Sequence, residues 1–202
     1  VFFPIDCVLS TVAEGAGGEV VEVATVGNEG MAGISVFLGV GSSATLQTFA
    51  QISGDVLVLR AEDFTAHLQA NARLRDVMGR YTQALLTQIS QSAACNRLHP
   101  AQERMARWLL MTHDRVGKDE FELTQQFLAQ MLGVRRSTIS EIANELQTEG
   151  LIEYARGRIV IRRRAGLEER SCECYQLIRA EYSRLLPVPA DPDAQPLEQS
   201  YR

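Results

Sequence analysis

Two glycines seventeen residues apart, Gly133 and Gly150, punctuate the stretch that most limits how this 202-residue chain can fold. Upstream of Gly133, Thr124 can cap a helix Gln125–Leu132 with Phe127, Leu128 and Met131 on one face. Gly133 can supply the positive φ of a tight turn, and Val134 leads into a second helix over 136–149. That helix turns Ile139, Ile142, Ala143 and Leu146 inward, and Gly150 ends it as a residue just past a helix often does. Residues 151–154, a turn at Ala155-Arg156-Gly157 and then 158–161 read as a short hairpin. Helix, four-residue turn, helix and wing make a helix-turn-helix pattern.

Charge supports a nucleic-acid role only after it is divided by position. The whole chain carries −5, yet 130–164 holds seven arginines against four glutamates, and 156–164 holds five arginines and no acid. A basic stripe on an acidic protein is an electrostatic footprint for phosphate. The second helix opens with Arg135-Arg136-Ser137-Thr138 followed by Ser140, a set suited to phosphates and base edges. Arg156 and Arg158 offer a flanking contact from the hairpin. Ala129 is small where two helices must cross closely.

The rest of the chain divides in two. Residues 7–60 read as short strands: Val8, Val12, Val20, Val21, Val23 and Val26 flank a Gly15–Gly18 turn, and 45–52 and 56–59 follow a glycine-rich run. This pattern predicts a sandwich or roll, with the whole chain in the α+β class. A short helix begins near Ala61. Leu74, Val77, Met78, Tyr81, Leu85, Ile89 and Ala93 then recur at helical spacing through residue 98. His99-Pro100 stops that helix, and a further one over 101–113 turns Met105, Trp108, Leu109 and Met111 or Thr112 inward. A last helix is expected near 167–186, before a proline-bearing tail, 187–202, expected to be disordered.

Catalysis finds no support: His67, His99 and His113 have no partnering motif, and neither Gly-x-Ser-x-Gly nor His-Glu-x-x-His occurs. Four cysteines, Cys7, Cys95, Cys172 and Cys174, are too irregular for a disulfide framework, so a reducing cytoplasm is expected. Cys172-x-Cys174 is closely spaced for a cluster, and on one helix its members would point about 200° apart. Cys7 and Cys95 stand alone in sequence. The thiols are therefore expected to be packing groups, with no metal and no cofactor. No run of eighteen apolar residues occurs, so no membrane partner is expected.

Three segments resemble the Crp/Fnr-type bacterial transcription regulators. Leu123–Glu153, L-T-Q-Q-F-L-A-Q-M-L-G-V-R-R-S-T-I-S-E-I-A-N-E-L-Q-T-E-G-L-I-E, is similar to their winged helix-turn-helix. Cys95–Gly117, C-N-R-L-H-P-A-Q-E-R-M-A-R-W-L-L-M-T-H-D-R-V-G, resembles the segment before it. Val26–Gly39, V-G-N-E-G-M-A-G-I-S-V-F-L-G, resembles the part of the β-roll that holds a cyclic nucleotide in responsive members. The resemblance implies a β-roll sensor domain over 1–70 that begins at a middle strand, a dimerisation helix over 71–98 and a winged helix-turn-helix domain over 99–186. It implies a homodimer on palindromic double-stranded DNA, with RNA polymerase as a further partner.

Site roles follow from the same resemblance. Arg136 would read a guanine, with Thr124, Gln125, Arg135, Ser137, Thr138, Ser140 and Glu141 around it and Arg156 and Arg158 on the wing. Leu74, Met78, Tyr81, Leu85 and Ile89 would form the dimer seam. The effector pocket would be lined by Gly30, Met31, Ala32, Gly33, Ser42 and Ser43. Nucleotide-responsive members place a Gly-Glu-Leu on the ribose and an Arg-Ser or Arg-Thr on the cyclic phosphate. Here those stretches read Met31-Ala32-Gly33 and Ser42-Ser43, so the effector is expected to be a small molecule other than cyclic AMP or cyclic GMP. Two other readings stay open: a metal- or redox-sensing regulator, and a ligand-binding module that controls a protein partner.

Overall fold

The computed structural model describes residues 1–18, 20–41 and 46–186. Ser42, Ser43 and the tail 187–202, about which the sequence raised expectations, lie outside the described residues. The N-terminal part holds β1 (Phe2–Pro4), β2 (Val8–Glu14), β3 (Val20–Val26), α1 (Ile34–Phe37), β4 (Leu46–Ile52), β5 (Val56–Val58) and α2 (Ala61–Ala70). The long α3 (Ala72–Leu98) and then α4 (Ala101–Val116) follow. The C-terminal part contains β6 (Glu120–Glu122), α5 (Gln125–Leu132), α6 (Arg136–Thr148), β7 (Ile152–Ala155), β8 (Arg158–Ile161), α7 (Arg164–Arg170) and α8 (Cys174–Leu185).

Strand order follows from the turns. The Gly15–Gly18 turn, with Gly18 at φ 84°, lets β3 fold back on β2, and β4 pairs with β2's other edge in the order β3-β2-β4. β1 and β5 form a separate antiparallel pair. In the C-terminal sheet β8 lies between β7 and β6, a strand absent from the sequence-based reading. β6 is short, and only Phe121 in it is buried, too little for a period-two signal.

The residues expected to form a seam on the long helix face the protomer's own core. Met78, Tyr81 and Leu85 are buried inside the protomer with Met31, Phe64 and Leu68, and Leu74 and Ile89 pack onto that cluster. The apolar stripe of α3 is thus spent on the chain's own N-terminal part, because an amphipathic helix has one such stripe and the nearest apolar surface takes it. Tyr81 completes the seat: its hydroxyl donates to the Met31 carbonyl at 2.8 Å, and its ring passes so close to Gly30 that a Cβ there would lie 2.1 Å from it.

The predicted last helix is interrupted. α7 ends at Arg170, Ser171 takes an extended conformation, and its hydroxyl donates to the Glu168 carbonyl at 2.9 Å. Cys172 therefore lies off the helix that Cys174 begins, and the expected opposition of the two thiols does not apply. α8 packs back against α3.

Arg115, on the last turn of α4, joins the parts. Its guanidinium is buried, pairs with Glu29 at 2.8 Å, and donates to Gln88 Oε1 at 2.9 Å and to the Met111 carbonyl at 3.1 Å. Gln88 in turn donates to the Thr25 carbonyl and accepts from the Tyr182 hydroxyl. Gly27 makes room, since a Cβ there would come within 2.6 Å of Arg115 Cγ.

A second polar joint lies between β3 and α4. Glu22 accepts hydrogen bonds from Ser10 Oγ at 2.6 Å and from Trp108 Nε1 at 2.8 Å, and burial pushes its carboxyl up to about 7 against those bonds. The folded state therefore binds a proton that the unfolded chain has already released between roughly pH 4.5 and 7. Stability should fall as pH rises through that window, by at most about 3 kcal/mol. Urea unfolding at pH 5 and pH 7.5 should show this fall in the wild type and a flatter profile in Glu22→Gln. Equal slopes in the two proteins would remove Glu22 as the cause.

Candidate DNA interface

The bihelical unit is built as its residue pattern dictates. Thr124 Oγ1 accepts from the Phe127 N–H at 3.1 Å and caps α5, a bond of a kind that contributes about 1 kcal/mol. Gly133 takes φ 62°, and the Val134 N–H reaches back to the Ala129 carbonyl at 2.9 Å. Leu128, Ala129, Met131 and Leu132 of α5 are buried, as are Ile139, Ile142, Ala143 and Leu146 of α6. Gly150, at φ 68°, closes α6, and the Leu151 N–H bonds to the Leu146 carbonyl. Arg156 and Gly157 both have positive φ, the combination a two-residue hairpin turn requires.

The exposed groups fall at the start of α6. Arg135, Arg136, Ser137 and Glu141 are exposed, and Thr138 and Ser140 are half-buried. No side chain caps this end, and its first turn holds no acid. The unpaired N–H groups of a helix start favour anions, and two arginines stand beside them. Ser140 Oγ donates to Gln125 Oε1 at 2.7 Å, which fixes the amide of Gln125 across the turn between α5 and α6. On the wing, Arg156 is exposed at the tip, whereas Arg158 pairs with Glu120 of β6 at 3.0 Å. That exposed pair is worth under about 1 kcal/mol, so a phosphate can take Glu120's place. Thr124, Arg156 and Arg158 share one wall of a cleft of about 1090 Å³ whose other wall is the end of β4, Gln51–Ser53. Beside it Phe127 of α5 meets Phe49 of β4 edge-on at 6.0 Å.

The glycine-rich run is arranged unlike an open nest for an anion. Met31 and Ala32 are buried. The Gly27 N–H is taken by Glu29, the Gly30 N–H by the Gly27 carbonyl and the Ala32 N–H by the Phe2 carbonyl. Gly33 takes φ 97° at the start of α1.

One grouping escaped the sequence. Cys95, His99, Cys172 and Cys174, separated by up to 79 positions, bring their Sγ and ring nitrogen atoms within 4.8 Å of one another. The available signal was Cys95 and His99 four apart at a helix end, matched to the close pair Cys172 and Cys174. Only the turn between α7 and α8 brings the two halves together.

Residues 103–170 match the family model of the Crp-like helix-turn-helix domain. No curated protein sequence matches the chain. Among solved structures, FixK2 from Bradyrhizobium japonicum is similar at a TM-score of 0.68 and 16% identity, over 85% of this chain and 86% of that one. A CRP-family transcriptional regulator from Thermus thermophilus, TTHB099, has a TM-score of 0.61 at 18% identity, over 84% and 86%. CLP from Xanthomonas campestris, described as a c-di-GMP responsive global regulator, has a TM-score of 0.58 at 16% identity, over 79% and 83%. At these identities the structures establish a shared fold, and the family-model match is confined to residues 103–170. Residues 103–170 thus match a Crp-like helix-turn-helix domain, within a chain most of which shares the fold of these solved structures.

Proposed function

We propose that the chain acts as a homodimer on a two-fold promoter site, with α6 of each protomer in a major groove and the wing on the flanking backbone. The observation that carries this reading is the exposed start of α6, free of acid and side-chain cap, with Arg135 and Arg136 beside it. In this reading RNA polymerase is a further partner and a small molecule is the effector.

Arg136 is assigned to a guanine edge, where a bidentate contact discriminates by roughly 1–3 kcal/mol. Arg135, Ser137, Thr138 and the Gln125–Ser140 pair serve neighbouring bases or phosphates. The operator can be obtained by selecting bound sequences from random duplexes. Arg136→Ala should then bind that operator about 10- to 100-fold less tightly while keeping its weak, salt-sensitive binding to unrelated DNA. Unchanged sequence preference in the variant would remove Arg136 from the reading surface.

Dimerisation is assigned to the outward face of α3. Gly79, Leu86 and Ala93 recur every seven residues there, each followed four residues later by Gln83, Ser90 and Arg97, and all six are exposed. Leu86 is 53% exposed, whereas its neighbour Leu85 is buried. A heptad of small residues around one leucine lets two helices approach closely. Paired spines of this kind can hold two recognition helices about 34 Å apart, as successive major grooves require. Leu86→Glu should sediment as a folded monomer and lose operator affinity by at least about tenfold. A wild-type protein that is monomeric at micromolar concentration would overturn the dimer.

The effector is read as something other than cyclic AMP or cyclic GMP. A buried cyclic phosphate needs a charged donor, and Met31-Ala32-Gly33 and Ser42-Ser43 supply none. The engaged N–H groups of Gly27, Gly30 and Ala32 support the same reading. Calorimetry with either nucleotide up to about millimolar concentration should give no binding heat; the missing contacts would cost at least about a hundredfold in affinity. Micromolar binding that alters operator affinity would sink this part of the reading.

A further inference from the structure

The end of α3 and the start of α8 meet at a compact cluster of three thiols and an imidazole. Cys95, Cys172 and Cys174 are all buried, and the His99 side chain is 16% exposed. Cys95 Sγ lies 3.5 Å from Cys172 Sγ, and Cys174 Sγ lies 3.5 Å from His99 Nδ1. We propose that these four residues form a closed Cys3His site for a single zinc ion, which ties the long helix to the C-terminal helix pair.

Geometry supports the ion and its coordination. Zinc bonds of about 2.3 Å to sulfur and about 2.0 Å to nitrogen, arranged tetrahedrally, put neighbouring ligand atoms roughly 3.4–3.8 Å apart. The two close pairs already stand at that separation, and all the ligand atoms lie within 4.8 Å of one another. The donor set is soft and converges on one point, which favours a thiophilic ion over an oxygen-seeking one. Four protein ligands leave no open position, the mark of a structural rather than a catalytic centre.

The surroundings are those of a metal site. His99 Nε2 lies 3.2 Å from Glu173 Oε1, so the carboxylate holds the ring with Nδ1 turned toward the thiols. A carboxylate behind a ligating histidine is a common support that fixes tautomer and orientation. Gln91 Nε2 donates to Cys174 Sγ at 3.5 Å, a bond that suits a thiolate. Arg104 and Arg107 are buried beside the cluster, and the Nε of each has no hydrogen-bond partner. Among the described residues neither guanidinium belongs to an ion pair. Zinc with three thiolates and a neutral imidazole carries a net charge of −1, which offsets buried cations; three neutral thiols offset none. Binding exchanges the thiol protons for Zn²⁺, releases those protons to solvent, and transfers no electron.

The full-length protein, expressed with added zinc and purified without chelator, should hold about one zinc per chain by elemental analysis. Stripping with a chelator should lower its melting temperature, and zinc should restore it. Cobalt in zinc's place should give thiolate-to-metal charge transfer and the visible bands of a tetrahedral ion. Cys95→Ser and Cys172→Ser should each retain less than about a fifth of the zinc, whereas Cys7→Ser should keep it all. Should the cluster variants fail to fold, the wild-type metal content and cobalt spectrum decide alone. Less than about 0.1 zinc per chain in zinc-replete wild type, with no cobalt spectrum, would overturn the site. A Cys95–Cys172 disulfide in non-reduced peptide maps, or stoichiometric iron in place of zinc, would overturn it equally.

Discussion

A guanidinium taken out of water must find its hydrogen-bond partners in protein, and at Arg115 those partners come from three different parts of the chain. Glu29 comes from the loop after β3, Gln88 from the middle of α3, Met111 from α4 itself, and Tyr182 places its ring 6.0 Å from the charge. Leaving such a charge unpaired costs several kcal/mol, so the N-terminal part, the long helix and the C-terminal part are held in one register. Gly27 is the backbone's concession to this arrangement, because any side chain there would occupy the space of Arg115.

The second joint, Glu22 with Trp108 and Ser10, works alongside an apolar contact. Val8 and Ile52 of the N-terminal sheet share one core with Met105 and Leu109 of α4 and Leu128 of α5. Phe49 against Phe127 extends the contact to the first helix of the bihelical unit. The first helix of the bihelical unit is therefore packed directly against the N-terminal sheet. A change at that sheet has a short mechanical path to α5, and from Gln125 to Ser140 on α6.

The DNA-reading unit was legible because its rules are local. Cap, glycine turn and apolar spacing all act within a few residues, and Thr124, Gly133 and Gly150 occupy the positions their chemistry suits. The face of α3 was not legible in the same way. Leu85 and Leu86 are adjacent and identical in type, and only the position of Met31 and Phe64 against the helix decides that one is buried and the other exposed. The glycine-rich run was read by resemblance as part of an effector pocket, yet the amide donors of Gly27, Gly30 and Ala32 are used by Glu29, Gly27 and Phe2. Nothing in a run of glycines specifies whether its N–H groups face a ligand or the chain.

By itself the sequence determined the α+β class, the long helix, the winged helix-turn-helix and the arginines at the start of its second helix, since periodicity, caps and turns are properties of neighbours along the chain. Tertiary structure alone decided which side of α3 is free, how Arg115 is paired and that Cys95, His99, Cys172 and Cys174 meet. Those outcomes depend on contacts between residues dozens of positions apart. Ser171 breaks the predicted last helix and turns Cys172 toward Cys95, a change of direction whose effect depends on where α8 packs against α3. Side-chain chemistry is written in the sequence, but the distances between side chains are set only when the helices close on one another.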